Sequence, residues 1–397
     1  MTLIDRIQGG VAVVRELSNP KAFRIALAIW IVYAAIIAIL VAAQPNKRTV
    51  TPEYRKASIE WWAGNPIYKG RMHGYLYLPH CAILYTPYTW LPLRVGEVAW
   101  RFTAIGLFGW CIWRLCSVFG AERRKWWFLV ATVGALPASL SCARNGQANL
   151  PMAALLAFAA VDLGRGAWNR SALSLILSFA LKPLGVVPCL LAGACYSRKM
   201  VFRLVLALVF LGLISFVHFR PEYVIEQYKM MVETLRVAGQ PNQRLFCDVQ
   251  GLLITFGIMP AAKWMLAIRA LAAVGALWTA ILALRRYDAA RGAFVCMMLS
   301  ALYLVLFNPR TETNSYVLLA PFLGVLIAEC ARQPRLLTRF LWLSGFALIL
   351  TCENWGALHK WTNLWLKAAA SLVISWYLVR DIYLARDPLG LRKPDSD

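Results

Sequence analysis

The sequence predicts an all-α, polytopic bundle of transmembrane helices, and three observations carry that expectation. Sixty per cent of the 397 residues are hydrophobic and only 15% are charged, where a soluble domain has roughly a quarter of its residues charged. Mean hydropathy is +0.57. Several stretches run beyond about 18 residues with almost no charge, the length that spans a hydrocarbon core. The apolar stretches number about eleven, and with broken ones considered the range is about 10–13 membrane segments in a single domain over residues 1–397.

The first span is Ile25 to Ala43. It is too long for the core of a signal peptide, no small-residue cleavage site precedes the polar segment after it, and it reads as retained. Basic clusters then set sidedness. They are Arg6, Arg15, Lys21 and Arg24; Arg123-Arg124-Lys125; Arg165 with Arg170; Arg198-Lys199; Arg285-Arg286 with Arg291; Arg332, Arg335 and Arg339; and the tail at 381–397 with Arg380 before it. Placing all of them on the cytoplasmic side gives one consistent path. Both termini are then cytoplasmic, the membrane is the cell (inner) membrane, and the number of full crossings is even.

The opposite face receives an outer loop at 44–75, the turn at 144–149, an outer loop at 220–262, the stretch 308–314 and a short loop at 353–360. Two apolar stretches resist simple counting. Residues 76–93 are interrupted by Pro79, Pro87 and Pro92, and residues 171–196 by Lys182-Pro183 and Pro188. Proline interrupts helices, and broken helices at membrane depth line cavities, so one or both are expected to be re-entrant or half-helices. Inside the first outer loop, Tyr54 to Ala63 alternates Tyr54, Ala57, Ile59, Trp61 and Trp62 with Arg55, Lys56 and Glu60. That reads as a short amphipathic helix at the interface, among membrane lipids, or as a cap on the bundle.

Several function classes fall away. The net charge of +23 is explained by the basic turns, so nucleic acid is not an expected partner. The ten cysteines form no C-x-x-C pair and sit mostly in apolar segments, where they behave as small hydrophobes. The four histidines lack metal-ligand spacing. No Walker or Rossmann loop is present, which leaves a soluble sugar nucleotide no seat. No cofactor and no metal site is evident. No repeat of fixed period or inverted symmetry supports an ion or solute transporter.

Polar groups at membrane depth are costly and mark function by default. Arg144, Asn145, Gln147 and Asn149 surround Gly146 in a tight turn, with Asn149 alternatively a plain helix cap. Lys182 stands between two nearly uncharged runs; it must pair, face water or snorkel, and an anion such as a phosphate is one natural partner. Asn308 to Tyr316 contains Arg310, Glu312, Asn314 and Tyr316; Arg310 can grip a phosphate bidentately or pair with Glu312. The first outer loop carries Lys47, Arg48, Arg55, Lys56, Lys69 and Arg71 against two acids, Glu53 and Glu60. An excess of cations on that face points to an anionic substrate.

Taken in order, these segments resemble glycosyltransferase family 87, within the GT-C superfamily of membrane glycosyltransferases. The similar marks are Tyr54, the A-G-N-P-I-Y run ending at Tyr68, Tyr75-Leu76-Tyr77-Leu78-Pro79, Gly146-Gln147-Ala148-Asn149, Lys182-Pro183 and the polar turn before Tyr316. They cover roughly residues 20–380. The resemblance implies a GT-C type bundle, a polyprenyl-phosphate-linked sugar donor (often mannose), and a lipid or glycan acceptor at the outer face of the membrane. It also implies inverting displacement, with a carboxylate of the first outer loop taking the acceptor proton and cations stabilising the phosphate that leaves. Tyr54, Tyr77, Arg144, Asn145, Gln147, Asn149, Lys182, Arg310, Asn314 and Tyr316 are the substrate-binding candidates. The sequence departs from the family's pattern near Val50-Thr51, where the catalytic aspartate would stand and none does. Glu53 is the nearest acid and the candidate base, with Glu312 as its substitute and Glu60 behind it. A non-catalytic binder or flippase of lipid-linked sugars would use the same cations and amides without any base.

Overall fold

A computed structural model describes residues 20–68, 74–119, 124–238, 246–333 and 336–384. Lys69, Arg71, the N-terminal cations Arg6 and Arg15, Arg123, Arg335 and the tail beyond 384 lie outside the described residues. Within them the chain is helical, and six helical segments are long and apolar enough to cross a membrane.

Helix α1 (Pro20–Ala43) has 24 residues, a length of ~36 Å at ~1.5 Å per residue, which exceeds the ~30 Å hydrocarbon thickness. Helix α2 (Thr51–Ala63) lies in the loop after α1, α3 (Pro79–Thr89) follows, and α4 (Leu93–Leu115) returns through the bundle. Then come α5 (Arg124–Asn145), α6 (Asn149–Gly164), α7 (Trp168–Leu181), α8 (Val186–Cys195) and α9 (Ser197–Ile214). Helices α10 (Pro221–Ala238) and α11 (Val249–Thr255) belong to the second loop. The chain continues through α12 (Ala262–Arg286), α13 (Ala289–Phe307), a 3-10 turn at Thr313–Leu319 that leads into α14 (Ala320–Arg332), then α15 (Leu337–Ile349), the single turn α16 (His359–Thr362) and α17 (Leu366–Tyr383).

The centre is built from α6, α13 and α14, whose residues are buried almost all round. Lipid is as apolar as leucine, so such helices are held by close approach and interhelical hydrogen bonds. Gly134 on α5 faces Gly324 on α14, and a Cβ at position 324 would come within 2.5 Å of the Ala131 carbonyl oxygen. Between α1 and α5 the Trp30 Nε1 donates to Thr132 at 3.1 Å, and the hydroxyls of Tyr33 and Ser139 meet at 2.8 Å.

Both proline-broken stretches form short helices, α3 of 11 residues and the pair α7 and α8 of 14 and 10 residues. In α3, Thr86 bonds Ser58 at 3.1 Å and accepts from Trp62 at 2.8 Å, which ties α3 flat against α2. Arg55 donates to the carbonyls of Tyr88, Thr89 and Leu91 and so satisfies the end of α3. That use of Arg55 corrects the reading of this loop cation as part of a surface for substrate. Helix α2 turns Tyr54 and Trp61 inward and Ile59 and Trp62 outward. It caps the bundle. Helices α7 and α8 form a hairpin, with Trp168 at one foot packed 5.7 Å from Tyr196 at the other, ring planes tilted by 54°, and Lys182 at the apex.

The turns 144–149 and 308–316 and the loop 44–51 meet at one end of the bundle, through Val50–Asn145 and Gln147–Glu312 contacts. Basic residues gather at the other end. There Arg114 holds the buried Asp162 at 2.6 Å, Arg165 reaches Ser117, and Arg203 reaches Asn169. Phe23 near the start of α1 packs on Trp113, and Arg286 bonds the last carbonyls of α17, so both described termini lie at the basic end. In intact cells carrying a cysteine-free background, a membrane-impermeant thiol reagent is expected to label Lys47→Cys and not Lys199→Cys. The reverse pattern would invert the sidedness.

Candidate functional site

The site is assembled from three helix breaks. The first is the tight turn between α5 and α6. Gly146 has φ +67°, and a Cβ there would lie 2.7 Å from Thr51 and 2.9 Å from Arg101, so left-handed backbone and close approach both require glycine. Trp100 of α4 donates to the Gly146 carbonyl at 2.8 Å. Arg101, one residue on, pairs with Glu97; Glu97 also accepts from Thr51, and Tyr85 donates to it at 3.2 Å. This buried node fixes the loop at 49–51 against the turn. Its partner Thr51 stands at the place where the resemblance locates an aspartate, so a carboxylate is present nearby but on α4, behind the loop and enclosed.

The second break is Lys182-Pro183. Proline at 183 ends α7, and Lys182 adopts extended backbone. Its Nζ donates to Asn149 Oδ1 at 2.8 Å. The third is the connection after α13. There Cys247 donates its backbone N–H to the Thr311 carbonyl at 2.8 Å and Tyr316 its hydroxyl to the Cys247 carbonyl at 2.9 Å, so the chain just before α11 braces this turn. Asp248 beside it caps α11 by accepting from Gly251. Burial pushes its carboxyl up to about 6, against the opposing pull of the Gly251 N–H and Arg269.

These breaks enclose a cavity of about 370 Å³, within the range of small-ligand pockets. Glu53, Tyr54, Tyr77, Gln147, Lys182, Arg310 and Glu312 all line it, together with Val50, Leu76, Pro183, Leu235 and Asn308. Two cations and two carboxylates thus share one wall-to-wall space. Tyr54 donates to the Tyr77 hydroxyl at 2.9 Å, which sets both rings edge to face on the loop side. Gln147 donates to Glu312 at 3.2 Å. Arg310 donates to the Ala238 carbonyl at 2.8 Å, with its guanidinium over Phe246. Among the described residues, the Glu53 carboxylate meets no hydrogen-bond donor, so its oxygens are open to the cavity.

Other candidates stand outside that wall. Asn149 does not cap α6: the helix has no side-chain cap, and the amide instead bridges Lys182, Gln147, Asn314 and Ser315 from behind. Asn314 is buried in that same layer. Tyr316 is enclosed, under Lys367. Asn145 contributes its carbonyl to the loop at 49–50, and Arg144 is not among the residues that line the cavity. Sequence reasoning missed Glu97, Arg101 and the buried Lys367–Glu353 pair, which also reaches the Thr313 carbonyl. The signal for the first two was present: an acid and an arginine four residues apart inside a span form an internal pair.

Residues 75–309 match the family model described as Glycosyltransferase family 87. The match covers Tyr77, Gln147, Asn149 and Lys182, whereas both cavity carboxylates lie beyond its bounds. No curated protein matches the chain.

Proposed function

The chain belongs to glycosyltransferase family 87, and from that premise we propose that it moves a hexose from a polyprenyl-phosphate-linked donor to a cell-envelope lipid or glycan acceptor at the outer face of the cytoplasmic membrane. The observation that carries this reading is the pairing of Lys182 and Arg310 with Glu53 and Glu312 around one cavity. Cations alone would serve a lipid-phosphate binder or a flippase. An open carboxylate beside them supplies what transfer needs in addition.

In this reading the donor phosphate rests on Lys182 and Arg310, and the sugar occupies the space toward Tyr54 and Tyr77. The acceptor hydroxyl gives its proton to Glu53 and attacks the anomeric carbon from the face opposite the phosphate. The bond from that carbon to the phosphate oxygen breaks, configuration inverts, and polyprenyl phosphate departs. Fixed cations aimed at the leaving oxygen lower the barrier because they need no rearrangement as its charge grows. Gln147 holds the Glu312 carboxylate, and Asn149 holds Lys182, so both charges are oriented before substrate arrives.

The test is purified full-length protein with a radiolabelled polyprenyl-phosphate hexose and an extract of cell-envelope lipids. Label is expected to appear in an extractable glycolipid or glycan product. Binding of the donor without transfer to any envelope fraction would shift the assignment to a lipid-linked-sugar binder or flippase.

A further inference from the structure

The cavity holds a cation and an acid that do not pair. Lys182 and Glu312 both line it, yet among the described residues they form no ion pair with each other. Two amides stand between them instead. Lys182 Nζ donates to Asn149 Oδ1 at 2.8 Å, Asn149 Nδ2 donates to Gln147 Oε1 at 3.0 Å, and Gln147 Nε2 donates to the Glu312 carboxylate at 3.2 Å. Every hydrogen bond in that chain runs from the ammonium toward the carboxylate, so both charges polarise the amides in the same sense. Opposite charges that share one cavity attract. Keeping them two amides apart therefore needs a restraint on each.

Lys182 is restrained by its place at the apex of the α7–α8 hairpin, next to Pro183. Glu312 is restrained from behind, through the carbonyls on either side of it. The Thr311 carbonyl accepts the Cys247 N–H at 2.8 Å, and the Thr313 carbonyl accepts from Lys367 Nζ at 2.9 Å. The Glu312 backbone cannot swing without breaking one of these bonds. Lys367 stands in the first turn of α17, is only 1% exposed, and forms an ion pair with Glu353. Stability alone gives little reason for that pair. A buried ion pair is often no more stabilising than apolar residues of the same volume, and a cation in the first turn of a helix opposes the helix dipole. What the ammonium does that an apolar side chain would not is hold the Thr313 carbonyl. Both members of the pair lie outside the residues that the family model matches.

We propose that Lys367, oriented by Glu353, is a positioning residue that holds Glu312 off Lys182 and so keeps the Lys182 ammonium available to a phosphate. The inference rests on the reading of Lys182 as a seat for the donor phosphate. Once the hold on Thr313 is lost, the Glu312 carboxylate closes on the ammonium and competes with the phosphate for it.

The experiment is titration of a polyprenyl-phosphate hexose into full-length protein in detergent, arranged as a cycle with Glu312→Gln. Lys367→Met combined with Glu353→Gln removes the hold without leaving a buried charge unpaired. It is expected to weaken donor binding by about tenfold. In the Glu312→Gln background the same replacement is expected to cost less than about twofold, because a neutral amide does not compete for the ammonium. That rescue is what a merely structural loosening would not produce. An equal loss in both backgrounds overturns the proposal, and so does wild-type affinity in the Lys367→Met, Glu353→Gln protein. Glu353→Gln alone keeps the ammonium but not its orientation. It should show the same pattern at about threefold, and it serves if the combined replacement fails to fold. Hydrogen exchange is followed on the same proteins. Exchange at 311–316 is expected to rise about tenfold in the combined variant and to stay unchanged at 149–164. Unchanged exchange at 311–316 overturns the hold on Glu312. A wild type that binds no donor would refute the preceding reading, and the exchange result then decides the positioning by itself.

Discussion

Replacing Lys182 by methionine is expected to weaken binding of a polyprenyl-phosphate hexose by about 2–5 kcal/mol, roughly 30- to 4,000-fold. The side chain keeps its length and loses only the ammonium. In the free protein that ammonium is held by Asn149 at the apex of the α7–α8 hairpin, facing the cavity. A phosphate brought there would lose its water and find no compensating charge in the variant. Arg310→Met is expected to act in the same direction but less cleanly, because Arg310 also donates to the Ala238 carbonyl and so helps fix α10. Thermal unfolding of each variant, followed beside donor titration, separates the two effects. Wild-type donor affinity in Lys182→Met would remove Lys182 from the donor site.

The second large effect is expected at Glu53. A positioned base contributes typically ~10²–10⁴-fold to rate, so Glu53→Gln should reduce turnover by about that factor while donor affinity stays near its wild-type value. Glutamine preserves shape and takes no proton at neutral pH. Glu53 sits in the first turn of α2, where its carboxylate meets no hydrogen-bond donor among the described residues, whereas Glu312 is held by Gln147 and stands near Lys182. Glu312→Gln is therefore expected to change donor affinity more than the chemical step, since it removes a negative charge from beside the phosphate cations. Turnover lost in Glu312→Gln and retained in Glu53→Gln would exchange the two roles. Wild-type turnover in both would rule out either carboxylate as the base. Glu97, the other acid near the loop, is enclosed by Arg101, Thr51 and Tyr85 and cannot reach an acceptor without dismantling that node.

The membrane class and the path of the chain were legible in the sequence because hydrocarbon imposes a simple demand. Long uncharged runs such as α1 must be helices, and the basic turns must gather at one end. Broken segments were legible for the same reason: Pro79 opens the short helix α3 and Lys182-Pro183 ends α7. Polar residues at membrane depth marked the cavity, so Gln147, Lys182, Arg310 and Glu312 could be named from cost alone. Tertiary structure alone decided which of those residues face the same space. Asn149 and Asn314 have the same composition signature as Gln147 yet stand behind the wall, because a turn's sequence does not state the direction of each side chain. Arg144 does not line the cavity that Lys182 lines, and its end of α5 instead meets the loop at 49–51, a contact between residues about a hundred apart. The Glu97–Arg101 node was hidden in an ordinary span, and only its meeting with Thr51 gave it a place beside the site. Helix formation is a local response to the bilayer, whereas the convergence of charges depends on how distant helices pack.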